Sequence, residues 1–408
     1  MTEGSHDEVI IAAATTALGR ELGQDVVLEP DPQFGGSRHR STVFRARVDS
    51  RAQGAPETVI VKALTGSEGR KYDPSDGDGD SPAARFAREY AAARFLQDLP
   101  LDQPLSARLL AADASRGVIV LEDLGDGQSL ADLLQGGDAN SARRALVAYA
   151  SSLGRLHGVT AGLEASYETV RSGATRAAPL GAARVHETLP ASFTTLGAAC
   201  ERLGVEVPAR AGDDMDEVLA LLSDPGPFLA FSPGDTCPDN HRLNLAAGSV
   251  RFFDFEFSSF QHALLDAAYL LAPFPTCWCV NRLPAQAASE AEDAYRSQLA
   301  ALVPAASGPN YERGLTAAVG YWAVVTTARN LEASLKANGS WGISSTRQRH
   351  PLRLENFASI AARSGSLPAL AGMAAALAAR LRELWDGEAE MPLYPPFRGR
   401  QGEAARSA

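Results

Sequence analysis

The pattern of hydrophobic and polar positions divides the chain into a strand-rich first part and a longer, mainly helical second part. Residues 57–62 and 117–121 are short apolar runs, rich in β-branched side chains, with the length of strands. Residues 7–22 and 83–96 have helical spacing, and a stripe of large apolar residues three or four apart indicates a helix within 370–385. The pattern therefore predicts a small sheet followed by a larger helical region.

A further strand pattern, between residues 225 and 256, carries polar residues at its ends. An apolar run leads to Asp235, and residues 249–254 alternate with strand period up to Asp254. Asn240 lies in the connection between them. An acid, an amide and a second acid in this order suit phosphoryl transfer, which needs a group to orient a hydroxyl and ligands for metal ions. Loops also favour Asp and Asn for their turn chemistry. Matching residues elsewhere in the chain must therefore decide between a catalytic site and ordinary loop residues.

Lys62 ends one β-branched run and needs an anionic partner, because a buried strand rarely holds an unpaired charge. Glu89 is the candidate, since it lies among inward-facing apolar residues of the predicted helix 83–96. The alternative is a surface pair of Glu89 with Arg85, which would stabilise the helix by only about 0.2–0.5 kcal/mol.

A glycine pair precedes the lysine strand. Residues 34–47 are interpreted as two strands joined by a glycine turn, in which Gly35 and Gly36 have no Cβ and let backbone N–H groups approach a phosphate. Ser37 follows directly and is a candidate for the same contact. Such a pair is informative only together with the other motifs, because most Gly-Gly turns are ordinary hairpins.

The apolar strand at 117–121 stops at the acidic and glycine-containing segment 122–126, as a link between two lobes would. Backbone groups of Glu122 and Leu124 are the candidates for contact with the adenine edge of a nucleotide. The side chain of Glu122 is interpreted as an ordinary residue at a strand end.

Taken in order, these motifs resemble the aminoglycoside phosphotransferase and choline kinase family over roughly residues 33–270. The helix that ends at His157 and the segment 265–270 resemble that family as well. The resemblance implies an α+β, bilobal protein-kinase-like fold with a small antiparallel-sheet N-lobe and a large, mainly helical C-lobe. It also implies boundaries: a nucleotide-binding lobe at 1–121, a hinge at 122–126, a catalytic and acceptor-binding lobe at 127–390 and a loosely attached tail at 391–408.

The resemblance implies a role for each matching residue. Asp235 is the expected catalytic base, and Asn240 and Asp254 are the expected ligands of Mg²⁺. Lys62 is expected to contact the α- and β-phosphates of ATP, and Glu89 to orient Lys62.

One position departs from the family. Pro233 stands two residues before Asp235, where the family usually has a histidine that braces the metal-binding segment. The rigidity of this loop therefore depends on other features. The fixed φ of proline is one, and Asp266, which the resemblance makes structural, is another.

The segment 272–284 is the best candidate for acceptor recognition, because it follows the metal-ligand segment closely. Trp278 could stack on a sugar or base, and Arg282 could pair with a carboxylate or phosphate. Glu256 is a further candidate for substrate contact. The alternative is that Trp278 belongs to the core and Arg282 is a structural cap.

An acidic cluster offers a different kind of acceptor contact. Glu290, Glu292 and Asp293 could receive amines, but they lie in a predicted helix. Acidic side chains near a helix start usually only favour the dipole and solvent.

Composition limits the remaining possibilities. The chain has 408 residues and a formal net charge of −11, which argues against a nucleic-acid partner. No apolar run reaches membrane-spanning length and no basic leader begins the chain, so we expect a cytoplasmic protein without a membrane partner. The four cysteines are interpreted as reduced thiols in or near the cleft: Cys200, Cys237, Cys277 and Cys279.

The sequence therefore predicts an ATP- and Mg²⁺-dependent O-phosphotransferase for a small-molecule hydroxyl acceptor. An antibiotic or other secondary metabolite with a sugar moiety is the preferred acceptor. A kinase of choline, homoserine or a sugar is the alternative within the same chemistry. A nucleotide-binding pseudokinase or interaction module is the alternative in another class.

Overall fold

The chain forms a bilobal α+β fold, as the sequence predicts. The structure is a computed structural model that describes residues 3–37, 40–50, 54–66, 71–175, 177 and 182–398. An antiparallel sheet dominates the N-lobe, and helices dominate the C-lobe.

The N-lobe contains a five-stranded sheet with two helices. Its elements are α1 (Glu3–Leu22), β1 (Val26–Ser37), β2 (Ser41–Ser50), β3 (Thr58–Leu64), α2 (Pro82–Gln97), β4 (Leu109–Asp113) and β5 (Val118–Glu122). The strands are all antiparallel in the order β1-β2-β3-β5-β4, so β3, which carries Lys62, is the central strand. A lysine at this position is largely withdrawn from water, as the apolar run predicts.

The two helices cover opposite faces of the sheet. Apolar residues of α1, such as Leu18, pack with Val61 of β3. Phe86 of α2 packs with Leu64 and Ile119 on the other side. Helix α2 begins where Ser81 accepts a hydrogen bond from the amide of Ala84, and Pro82 follows in the first turn, where its missing N–H costs nothing.

The C-lobe packs helices around one large apolar core. Its helices are α3 (Leu130–Gln135), α4 (Ala139–Thr160), α5 (Glu164–Ala174), α6 (Ala182–Arg202), α7 (Ala211–Ser223), α8 (Leu264–Ala267), α9 (Ala285–Ala300), α10 (Pro309–Lys336), α11 (Thr346–Ser364) and α12 (Pro368–Leu384). The predicted stripe in 370–385 is buried along α12, which confirms it as core. Among the helices described, none has the length and apolar character needed to cross a membrane.

Short strands in the C-lobe bring the polar strand ends together. They are β6 (Leu229–Ser232), β7 (His241–Asn244), β8 (Ser249–Phe252), β9 (Ser259–His262), β10 (Ser340–Trp341) and β11 (Ser344–Ser345). β6 pairs with β9, β7 with β8 and β10 with β11, each antiparallel. Asp235 therefore follows β6, Asn240 precedes β7 and Asp254 follows β8, as the alternation predicts.

The glycine pair does not form the turn that the sequence suggests. Gly35 and Gly36 lie within β1 and pair with Phe44 and Val43 of β2, after an irregularity in the register. Gly35 has φ 121°, and an added Cβ would lie 2.2 Å from the carbonyl oxygen of Val43, so only glycine fits there. Residues 38–39, between β1 and β2, lie outside the described part of the chain.

The segment that follows α12 is attached more firmly than expected. The amide of Arg282 donates to the carbonyl of Pro392, and the amide of Tyr394 donates to the carbonyl of Arg282. Tyr394 is fully buried. Residues up to 398 are thus packed on the C-lobe, and the rest of the predicted tail lies outside the described residues.

Two helical glycines give a matched test of this packing. In α4, a Cβ on Gly154 would lie 2.3 Å from the carbonyl oxygen of Tyr295 in α9, whereas a Cβ on Gly197 in α6 would meet nothing within 4 Å. We expect Gly154→Ala to lower the free energy of unfolding by about 1–3 kcal/mol through overpacking. Gly197→Ala should raise it by up to about 1 kcal/mol through helix propensity. Urea unfolding of both variants measures this, and equal effects would contradict the close α4–α9 contact.

Candidate active site

The ammonium group of Lys62 joins the two lobes. Its Nζ lies 2.8 Å from Oε2 of Glu89 on α2 and 2.5 Å from Oδ1 of Asp254 in the C-lobe. Lys62 and Glu89 are both buried. The alternative surface pair of Glu89 with Arg85 is therefore not what the helix forms. Burial opposes the charge of Lys62, but the attraction to Asp254 and Glu89 outweighs it and raises the pKa of Lys62.

Asp254 reaches Lys62 from a backbone conformation that is uncommon for its residue type. Its φ is 70°, in the left-handed region that glycine prefers and that Asp tolerates better than most side chains. Such a conformation costs about 1–3 kcal/mol and persists only where the surrounding contacts hold it. The structure therefore maintains a strained residue at the point where the two lobes meet.

Asp235 lies on the loop between β6 and β7, next to the other polar residues of the cleft. The amide Nδ2 of Asn240 donates to the backbone carbonyl of Asp235 at 3.1 Å. Burial, followed by repulsion from Asp254 and Asp239, raises the pKa of Asp235 to about 6. A carboxyl group with this pKa can exchange protons near neutral pH.

Ser232 braces the loop at the position next to Pro233. Its Oγ accepts a hydrogen bond from the amide of Gly234 at 3.0 Å and another from Nε2 of Gln261 at 2.9 Å. The same Nε2 donates to Oδ1 of Asp266 at 3.3 Å. These contacts tie the residues before Asp235 to β9 and α8, which offsets the absence of a histidine.

Asp266 extends this bracing into helix α4. Its Oδ2 lies 3.2 Å from Nε2 of His157, and Nδ1 of His157 lies 2.7 Å from the hydroxyl of Tyr295. The hydroxyl of Tyr149, also on α4, donates to the backbone carbonyl of Thr236 at 2.7 Å. The loop is thus held from both sides by buried hydrogen bonds.

The candidate nucleotide contacts of the N-lobe lie at the edge of the sheet and in the lobe connection. Gly35 and Gly36 present backbone alone, and Ser37 pairs with Thr42 at the end of β1. Glu122 is occupied, because its carboxylate pairs with Arg251 and its amide donates to the carbonyl of Arg108.

Leu124 is better placed than Glu122 for a backbone contact. It is half-buried, packs against the apolar cluster that contains Leu121, and follows the end of β5. Within the part of the chain that the structure describes, its amide and carbonyl groups have no backbone partner. Leu124 therefore has an amide and a carbonyl without a backbone partner among the described residues, whereas the amide of Glu122 is already bonded.

Trp278 lies against the loop that carries Asp235. Its indole ring is held there by a hydrogen bond and is not a free surface for stacking. Its indole Nε1 donates to Oδ2 of Asp239 at 2.8 Å, and its side chain is half-buried. Sequence reasoning missed Asp239. The only signal was its place between Asp235 and Asn240, where loop chemistry gave it no special status.

A disulfide joins the same two segments and corrects the interpretation of the cysteines as reduced thiols. Cys237 and Cys277 are bonded across 40 residues of sequence, whereas Cys200 and Cys279 are free and buried. Asp235 lies next to this bond, since one of its carboxylate oxygens and both sulfur atoms lie within 4.8 Å of one another. Irregular cysteine spacing gave no signal for the pairing, which depends on the fold.

The other acceptor candidates lie apart from Trp278. Arg282 is exposed and borders a cavity of about 810 Å³ that is also lined by Glu292. Glu256 is 8% exposed and lies close enough to Lys62 and Asp254 to interact with their charges, which places it on the lysine side of the cleft. Glu290 of the predicted acidic cluster is engaged by Arg143 at 2.5 Å.

Comparisons with known proteins identify a family and several similar solved structures. A family model described as "Phosphotransferase enzyme family" matches residues 61–306. No curated protein matches the chain.

Similar solved structures include kinases of small molecules. An ethanolamine kinase of Plasmodium vivax is 12% identical, with 82% of each chain covered and a TM-score of 0.43. The choline kinase LicA from Streptococcus pneumoniae is 16% identical, with 81% of this chain and 94% of that chain covered and a TM-score of 0.39. Amicoumacin kinase in complex with AMP-PNP, Ca²⁺ and Ami is 10% identical, with 82% and 90% covered and a TM-score of 0.48.

Removing the disulfide should destabilise the protein. Closing a loop of this length restricts the unfolded chain, so we expect Cys237→Ser/Cys277→Ser to lower the free energy of unfolding by about 3–4 kcal/mol. A thiol reductant should lower the free energy of unfolding of the unmodified protein to that of the double variant. It should not change the stability of the double variant. Titration of the unfolded, non-reduced protein should find two free thiols, and four would contradict the bond.

Proposed function

The chain belongs to the phosphotransferase enzyme family, and we propose that it transfers the γ-phosphoryl group of ATP to a hydroxyl of a small molecule with Asp235 as catalytic base. The observation that carries the proposal is the double contact of Lys62 with Glu89 and Asp254. A lysine fixed between the two lobes in this way can bind phosphates on one side of the cleft while Asp235 faces the acceptor.

Asn240 and Asp254 have the donor chemistry that Mg²⁺ requires. Mg²⁺ prefers oxygen ligands, and these side chains supply one carboxylate and one amide oxygen. The Nδ2 of Asn240 is already engaged with the backbone of Asp235, which leaves Oδ1 for a cation. Bound there, the ion would neutralise charge on the phosphate oxygens.

The phosphates of ATP have a matching set of contacts. Lys62 would bind the α- and β-phosphates, and Glu89 would keep its ammonium group in place. The backbone of Gly35, Gly36 and Ser37 would approach the phosphates from β1, where a Cβ at the first position would clash. We assign the adenine contact to the backbone of Leu124.

Asp235 is suited to manage the acceptor hydroxyl. In the proposed step the acceptor oxygen forms a bond to the γ-phosphorus, the bond from that phosphorus to the β,γ-bridging oxygen breaks, and ADP leaves. Asp235 orients the hydroxyl and accepts its proton. The contacts of Ser232, Gln261 and Asp266 support a rigid loop for this role, despite Pro233.

For the acceptor, we propose a secondary metabolite such as an antibiotic, bearing a sugar hydroxyl. A primary metabolite such as choline, homoserine or a sugar is the second candidate, because the same residues would perform the same chemistry on it. The tie of Trp278 to Asp239 supports an acceptor site on the side of the disulfide.

The pH dependence should report the ionisation of Asp235. Only the ionised carboxylate can accept a proton, so kcat/KM should fall about tenfold per pH unit below pH 6 and level off above it. Asp239→Asn should move this acidic limb to lower pH, because the charge of Asp239 helps raise the pKa. The amide oxygen of asparagine can still accept from Trp278. An acidic limb near pH 4 in the unmodified enzyme would contradict the assignment.

Asp235→Asn should abolish turnover and stabilise the fold at high pH. The pKa of Asp235 is higher in the folded protein, about 6, than its ordinary value of 3.8, so ionisation weakens the folded state. The resulting loss of stability grows between about pH 4 and pH 6 and is complete above about pH 6. Without added Mg²⁺, thermal unfolding of the variant should occur at a higher temperature than that of the unmodified protein at pH 8. The difference between the two unfolding temperatures should disappear by pH 4. A lower unfolding temperature of the variant at pH 8 would contradict this prediction.

A further inference from the structure

A positively charged cavity lies beside the segment that carries the disulfide. It has a volume of about 340 Å³ and lies between α10, α11, the β10 strand and residues 275–276. Arg329, Arg349 and Arg353 border it, and none of its described lining residues is Asp or Glu. The charge of its wall is thus opposite in sign to the net charge of −11 of the whole chain.

Among the described residues, no acidic side chain neutralises these arginines. In the described part of the chain, no carboxylate forms an ion pair with Arg329, Arg349 or Arg353. Arg349 instead donates to the backbone carbonyl of Cys277 at 2.8 Å and to the hydroxyl of Ser344 at 3.0 Å. Arg353 is 5% exposed, and its buried Nε has no partner among the described residues.

The electrostatics of the cavity favour an added anion. Burial, followed by repulsion from Arg349, lowers the pKa of Arg353 to about 9, and Arg329 adds to the repulsion. His350 adds no further positive charge, because burial and repulsion from Arg353 and Arg349 lower its pKa to about 3 and keep it neutral. Buried cations normally have an anionic partner, and this cluster has none among the described residues.

The cavity also lies near Asp235, the proposed catalytic base. Thr276 lines it and shares a hydrogen bond of 2.8 Å with Tyr269, whose ring lies near enough to Asp235 to interact with its charge. The next residue, Cys277, has its sulfur within 4.8 Å of a carboxylate oxygen of Asp235. Residues 276–277 thus connect the wall of the cavity to the neighbourhood of Asp235.

We propose that the acceptor carries an oxyanion, a carboxylate or a phosphate ester, which binds Arg329 and Arg353 in this cavity. The inference rests on the proposed function and narrows its acceptor to anionic hydroxyl compounds. Guanidinium groups suit such anions, because their planar N–H donors match the oxygens of carboxylates and phosphates. Trp341, which is 56% exposed at the rim, can cover the part of the acceptor that projects from the cavity.

This site differs from the one that the sequence suggested around Arg282. Arg282 borders the other, larger cavity, where Glu292 and Glu312 accompany Arg363. The lining of that cavity has charges of both signs, without an excess of positive charge that would favour an anion. The amine-binding cluster loses support as well, since Glu290 is already paired with Arg143.

Direct binding tests the cavity without turnover. Calorimetry or ligand-observed NMR would use gluconate and inorganic phosphate as the two anionic probes and glucose as the neutral counterpart of gluconate. We expect both anions, or the one class that the enzyme uses, to bind and glucose to bind at least about tenfold more weakly, because a charge-assisted hydrogen bond is lost. Equal binding of gluconate and glucose, together with no binding of phosphate, would overturn the proposal.

Four variants locate the bound anion. Arg329→Gln should weaken binding of the anionic probes about tenfold, whereas Arg329→Lys, which keeps the charge but loses the planar pair of donors, should weaken it less. Arg363→Gln, on the same helix as Arg353 but at the larger cavity, is the matched control and should leave binding unchanged. A loss in Arg363→Gln or Arg282→Gln equal to that in Arg329→Gln would overturn the assignment to this cavity. Because Arg329 is exposed, its substitution should not impair folding.

Turnover separates this inference from the proposed function. ADP formation would be measured with matched pairs of acceptors, hydroxy acids against their amides and sugar phosphates against free sugars. We expect turnover with members of one anionic class, and a higher KM with little change in kcat in Arg329→Gln. Turnover confined to neutral or cationic acceptors would overturn the inference and leave the phosphotransferase function standing. Failure to bind ATP with Mg²⁺ would overturn the proposed function, while the binding of the probes would still decide the inference.

Discussion

The buried ammonium group of Lys62 is the charge on which the rest of the site depends. A cation on the central strand of the sheet must be paired, and it meets Glu89 from its own lobe and Asp254 from the other. The pair with Asp254 spans 192 residues of sequence, so it forms only when both lobes are folded and docked. The phosphate binding and metal ligation that we propose are therefore coupled to the arrangement of the lobes through one group.

The second lobe is built to hold its side of this contact rigidly. Asp254 keeps an unfavourable backbone conformation, which needs a firm surrounding. Hydrogen bonds from Gln261, Asp266 and the helix α4 supply that firmness for the neighbouring loop, and the disulfide fixes the loop to the segment of Trp278. The charge that we propose for the chemistry lies on Asp235, whereas the charge that we infer for acceptor binding lies on arginines beyond the disulfide.

Much of the fold followed from the sequence, because local patterns carry it. Strand alternation placed Lys62 on a buried strand, helix periodicity turned Glu89 inward, and polar residues at strand ends located Asp235 and Asp254. The patterns failed where backbone detail or distant pairing decides. Gly35 lies within a strand and not in a turn, since the irregularity in β1 is a property of its pairing with β2.

The sequence by itself determined a small sheet, a larger helical region and the residue types of the cleft, because burial and strand period are written in the order of side chains; its resemblance to a known family implied the two lobes. Only the tertiary structure decided which distant residues meet: Cys237 with Cys277, Ser232 with Gln261, and the arginines of α10 and α11 around one cavity. These contacts join segments tens of residues apart. They depend on how helices and loops pack in three dimensions, a property that no local period encodes.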